Sequence, residues 1–191
     1  MHNRIRRITE TAVMLALLIC LQWAGSFIPD QTVKQLLTGT MVNCVLAVTV
    51  LLVGCGSGIA VALISPICAF LFGIAPNLIT VFPIMLGNCC YVTLLYFITG
   101  KCRKFGIRQI AALVTASVVK FAVLYVLVVE VICGVAADAL LYKKLGETVL
   151  LAPKMLTMLP AMFTWPQLIT ALAGGAIALA NLPILRKALH R

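Results

Sequence analysis

Residues 9–28, TETAVMLALLICLQWAGSFI, form an apolar run holding a single charge, Glu10, and three arginines, Arg4, Arg6 and Arg7, stand just ahead of it. Such a run has the ~20 residues an α-helix needs to cross ~30 Å of hydrocarbon. Hydrocarbon offers the backbone no hydrogen-bond partner, so only a helix or a closed barrel can lie there. Similar runs recur near residues 36–53, 58–74, 77–99, 107–133 and 157–181. With 63% hydrophobic and 10% charged residues, the chain is far from the composition of a soluble domain. The expected fold is an all-α integral membrane protein: one domain over residues 1–191, built as a bundle of six transmembrane helices.

The third run is short and contains Pro66, with Pro76 in the turn beyond. A re-entrant pair would look much the same in sequence. Charge parity selects two true spans. Counting from a cytoplasmic start, one side receives Arg4, Arg6, Arg7, Lys101, Arg103, Lys104, Arg108, Arg186, Lys187 and Arg191, and the other Lys34, Lys143, Lys144 and Lys154. Basic residues favour the cytoplasmic side, which places both termini there. The net charge of +10 is then a topology and headgroup signal, and no nucleic-acid partner is expected. A cleaved signal peptide fits less well, because Glu10 opens the apolar run and the run continues through Trp23 to Ile28.

Several catalytic readings fail on residue inventory. The eight cysteines, including Cys102, lie mostly in apolar runs without a C-x-x-C pair, and the only histidines are His2 and His190. No metal or other cofactor is expected. The turn Gly54-Cys55-Gly56-Ser57-Gly58 resembles the setting of an intramembrane protease serine, but no histidine inside the spans serves as its base. The same turn lacks the lysine and hydroxyl of a phosphate-binding loop. The expectation is a protein that is not an enzyme and cannot hydrolyse ATP alone.

Polar and aromatic groups inside the spans are costly there and point to function. Gln22, Trp23, Asn43, Glu130, Thr164, Trp165 and Gln167 fall in one half of the bundle, and Asn88 and Lys120 near its middle. Trp23, Asn43, Asn88, Lys120, Trp165 and Gln167 are the candidate solute-binding residues. Each has a plainer alternative, as interfacial tryptophan or as an amide bonding helix to helix. Lys120 needs an anionic or strongly accepting partner, from the solute or from internal carbonyls or Asn88. In the other half, Ala12, Ala16, Ala171, Gly174, Gly175 and Ala178 are small. Thr9, Ala12, Ala16 and Cys20 share one face of the first helix, open to close approach by another helix. The segment 135–154, in which Asp138, Lys143, Lys144 and Glu147 alternate with leucines and valines, is expected to form a short amphipathic helix over the pocket.

With its size, its six expected spans and the opening RRITETAVMLALL carrying Ala12-x-x-x-Ala16, the chain resembles the substrate-binding S components of energy-coupling factor (ECF) vitamin transporters. The resemblance implies capture of a vitamin-like micronutrient in an outward-facing pocket and delivery inward with a transmembrane T subunit and two ATPase subunits. It also implies that Ala12 and Ala16 contact the T subunit. The expected location is the plasma membrane of a bacterial cell. A homo-oligomeric six-span channel is the alternative, but its polar groups should continue through both halves, whereas here they stop near the middle.

Overall fold

The computed structural model of the chain describes residues 2–100, 106–145 and 148–188. Lys101, Cys102, Arg103, Lys104, Glu147, His190 and Arg191, used in the charge, cysteine and loop readings above, lie outside the described residues.

Helices α1 (His2–Ser26), α2 (Gln31–Leu52), α3 (Cys55–Leu71), α4 (Val81–Thr99) and α5 (Ile107–Leu124) follow in order, with short turns after α1 and α2 and a 3-10 helix, Leu78–Thr80, ahead of α4. The wider π-helical segment Tyr125–Val135 continues α5. Beyond it come the single turn α6 (Ala137–Leu140), a small hairpin of β1 (Lys144–Leu145) and β2 (Thr148–Val149), then α7 (Met155–Phe163) and α8 (Trp165–Ala188). The turns are written in the sequence. Asp30 caps α2 by accepting a hydrogen bond from Val33 N at 2.8 Å. Gly73, at φ 66°, takes the left-handed conformation that ends α3.

By length and composition, five stretches suffice to cross a membrane: Arg4–Ser26, Gln31–Leu52, Leu78–Thr99, Ile107–Val135 and Met155–Ala188. Cys55–Leu71 is apolar but shorter. Its 17 residues reach only ~25 Å at ~1.5 Å each. The last expected helix, near 157–181, is divided at Thr164 into α7 and α8. Pro166 accounts for the break, since its missing N–H and its ring are tolerated in the first turn of a helix but not in its middle.

Side-chain bonds fix the relative directions. Thr11 Oγ1 donates to Ser57 Oγ at 2.7 Å near the starts of α1 and α3, and Gln22 Nε2 donates to Ser65 O at 3.1 Å nearer their ends. These two helices therefore run parallel, with α2 returning between them. The most extensive packing joins α2 to α8 and α4 to α5. Ile5, Leu71, Phe82, Phe97 and Ile184 face outward, each more than 60% exposed, whereas Gln22, Asn43, Asn88, Gln109 and Lys120 are buried. Apolar side chains outside, with the few polar ones kept to the interior, is the arrangement that lipid permits and water does not.

The amphipathic helix expected over 135–154 is replaced by the one-turn α6 and the antiparallel hairpin. Tyr142, at φ 60°, ends the helical path, and its N–H donates to Leu151 O at 3.0 Å. Asn77 holds the hairpin from outside, donating to Val149 O at 2.9 Å and to Leu150 O at 2.7 Å.

Candidate functional site

Small residues on α8 bring the bundle together around its polar side chains. A Cβ on Gly174 would lie 2.8 Å from both Asn43 Cβ and Cys44 N, and one on Gly175 would lie 2.6 Å from the Tyr91 hydroxyl. Glycine is thus required where α8 meets α2, α4 and α5. Just beyond this contact, an internal cavity of about 90 Å³ opens between the helices. The space is larger than a single water needs, so it suits a small solute.

Lys120 on α5 is the centre of its polar wall. Its Nζ donates to Asn43 Oδ1 on α2 at 2.5 Å and to Asn88 Oδ1 on α4 at 2.7 Å. The face of Tyr91 lies 5.4 Å from the same nitrogen and offers it further electrostatic support. An ammonium has no lone pair, so both amides must turn their oxygens toward it and their nitrogens away. Asn43 Nδ2 finds Thr170 Oγ1 at 3.5 Å, but Asn88 Nδ2 is buried without a partner. Gln22 shows the opposite case: its Nε2 donates to Ser65 O, and its buried Oε1 is left unbonded. Buried polar atoms without partners are costly in any protein and more so among apolar helices. Here both belong to side chains that line the cavity, so a solute with complementary groups would satisfy them.

Of the expected binding residues, Asn43, Asn88, Lys120 and Gln167 line this cavity. Trp23 and Trp165 do not: they are 56% and 58% exposed, on the outer surface of the bundle. Successive helical residues are turned by ~100°, so the neighbour that points inward is Gln22 and Trp23 must look elsewhere. Trp23 instead meets Phe27 edge to face, with ring centroids 4.9 Å apart. Gln22, Gln35, Thr38 and Ser65 line the cavity without having been singled out as binding residues. Gln35 lies one residue ahead of the expected second span and reads as a loop residue, although its Nε2 donates to Met162 O at 2.5 Å. Ser65 sits in the short third run beside Pro66, where a lone hydroxyl carries little signal.

Thr9, Ala12, Ala16 and Cys20 are all exposed along α1. Ala12 also belongs to a groove between α1 and α3 shared with Arg7, Thr11, Gly56 and Ser57. Ser57, the residue examined above for catalysis, accepts the hydroxyl of Thr11 there.

A bundle that is apolar outside and holds a mostly apolar cavity with a few buried polar side chains on its wall has the build of a helical membrane protein. The family described as ECF transporter, substrate-specific component, matches residues 6–186, and the chain belongs to that family. No curated protein and no solved structure matches the chain.

Proposed function

We propose that this chain captures a vitamin-like micronutrient in the cavity around Lys120 and passes it into the cell with a transmembrane T subunit and two cytoplasmic ATPases. The observation that carries the reading is the pair of buried, unbonded atoms, Asn88 Nδ2 and Gln22 Oε1, on side chains that line the cavity, in a chain of the substrate-specific family. In this reading six helices cross the plasma membrane, α3 being the shortest, with both termini in the cytoplasm and the cavity nearer the outside. The candidate contacts are Asn43, Asn88, Lys120 and Gln167, joined by Gln22.

The exposed Ala12 and Ala16 support α1 as the docking face for the T subunit, because none of the described helices covers them. A carrier also agrees with the interior better than a channel does. The larger core is built of apolar residues such as Leu46, Leu95, Ala112, Leu113 and Ala116, whereas a passive pore needs a continuous polar lining.

The test is ligand identification by mass spectrometry on the purified protein, followed by ATP-dependent uptake of that solute into vesicles carrying the partner subunits. Lys120→Met is expected to weaken binding at least about tenfold. Unchanged affinity by calorimetry would remove Lys120 from the site. In this reading the hairpin beside Asn77 acts as a lid, so amide exchange across residues 136–154 should slow when the solute binds. Equal exchange in both states would rule out a lid.

A further inference from the structure

The chemical group that the cavity recognises follows from its donors and its charge. Lys120 is the one ionisable side chain among the described residues that line it, and no carboxylate faces it there. Two of its three ammonium protons go to Asn43 and Asn88, which leaves one for a ligand. Asn88 Nδ2 supplies a second unused donor, and Asn88 is only 1% exposed. The oxygen and nitrogen of one amide are about 2.3 Å apart from bond lengths alone. With Nζ 2.7 Å from Asn88 Oδ1, the two unused donors therefore lie within about 5 Å of each other. That spacing suits two acceptor atoms on one group, and one of the donors is an ammonium when protonated, with no carboxylate among the described lining residues to pair with it.

We propose that the cavity binds a small organic anion through a carboxylate, with one oxygen on Lys120 Nζ and the other on Asn88 Nδ2. The assignment rests on the reading of this cavity as the solute site and adds the class of solute. A primary amide of the same shape would satisfy Lys120 through its oxygen but set its NH₂ against Asn88 Nδ2. An amidinium would meet two donors with two donors and a positive charge with another. The site thus selects by charge and by the order of acceptors, and organic cations are excluded.

Benzoate, benzamide and benzamidine share one flat shape and differ in these two properties, which makes them suitable probes. Each is titrated by ligand-observed NMR against the full-length protein in lipid nanodiscs, with empty nanodiscs subtracted. Benzoate is expected to bind at least about tenfold more tightly than benzamide, with benzamidine weakest. Asn88→Asp is the decisive variant, because it keeps the oxygen that Lys120 needs while replacing the free donor with an acceptor and adding a counter-charge. Benzoate affinity should then fall about tenfold or more, and benzamidine should gain on it. Benzamide or benzamidine binding the native protein as tightly as benzoate would overturn the anion assignment and leave the cavity standing as a solute site. Benzoate binding unaffected by Asn88→Asp would overturn it too, by placing the anion elsewhere. If no probe binds above the empty nanodiscs, the reading of the cavity as a solute site falls with it.

Discussion

The stripe of small residues on α1 and the stripe on α8 look alike in sequence, yet they have opposite surroundings. Ala171, Gly174, Gly175 and Ala178 are buried, with α2, α4 and α5 pressed so close that a methyl group at either glycine would strike side chain or backbone. Ala12 and Ala16 are exposed. In lipid, small side chains favour helix approach because the gain is van der Waals contact between surfaces that fit, and apolar tails already solvate either face. Such a stripe predicts a close contact without saying whether the partner is in the same chain. On α8 the partners are internal and their closeness builds the polar cavity. On α1 no described helix covers them, and the proposed docking of a second protein would use this face.

Substitutions can break this contrast at either end. The largest effect is expected from Gly174→Leu, which drives a branched side chain into the α2 backbone beside Asn43. Overpacking costs ~1–3 kcal/mol where side chains can shift and more where backbone is struck. The variant should lose its thermal transition or its monodisperse elution, and near-native stability would show that α8 has more room than the structure gives it. Next comes Ala12→Trp combined with Ala16→Trp. Fold and solute affinity should be kept, while uptake with the T subunit and ATPases drops roughly ten- to a hundredfold, as a loss of ~1–3 kcal/mol in docking implies. Normal transport by the double variant would sink the docking assignment, and lost affinity would mean that α1 packs internally after all.

Two neighbours sharpen the comparison at smaller cost. Gln22→Leu removes the unbonded acceptor on the cavity wall together with the bond to Ser65, and should weaken solute binding by roughly ten- to a hundredfold. Trp23→Leu, one residue on and 56% exposed, should leave affinity within about twofold in the same calorimetric assay. A larger loss at Trp23 than at Gln22 would reverse the assignment of the two faces of α1.

Much of the architecture is set by local sequence. The apolar runs and the turns between them locate helices because a backbone in hydrocarbon must bond to itself. Lys120 stands out for a similarly local reason, as a lone charge within an apolar run. Its partner Asn88 was also foreseeable, since few groups in these spans can accept an ammonium proton. The family match likewise extends along the chain, over residues 6–186.

Other features were decided only by the folded chain. Lipid-facing and core-facing residues in these helices are alike apolar, so periodicity does not mark the inside as it does in water. Trp23 and Gln22 could each have been the inward residue, and packing against α3 selected Gln22. The hairpin displaced the amphipathic helix expected over 135–154 through Tyr142 and the hold of Asn77, a residue more than sixty positions away in sequence. Sequence alone therefore determined that the chain is a helical membrane protein of this family with an intramembrane lysine. The tertiary structure decided which amides surround that lysine, which of their atoms remain unbonded and which stripe stays uncovered, because each depends on contacts between helices that no local pattern encodes.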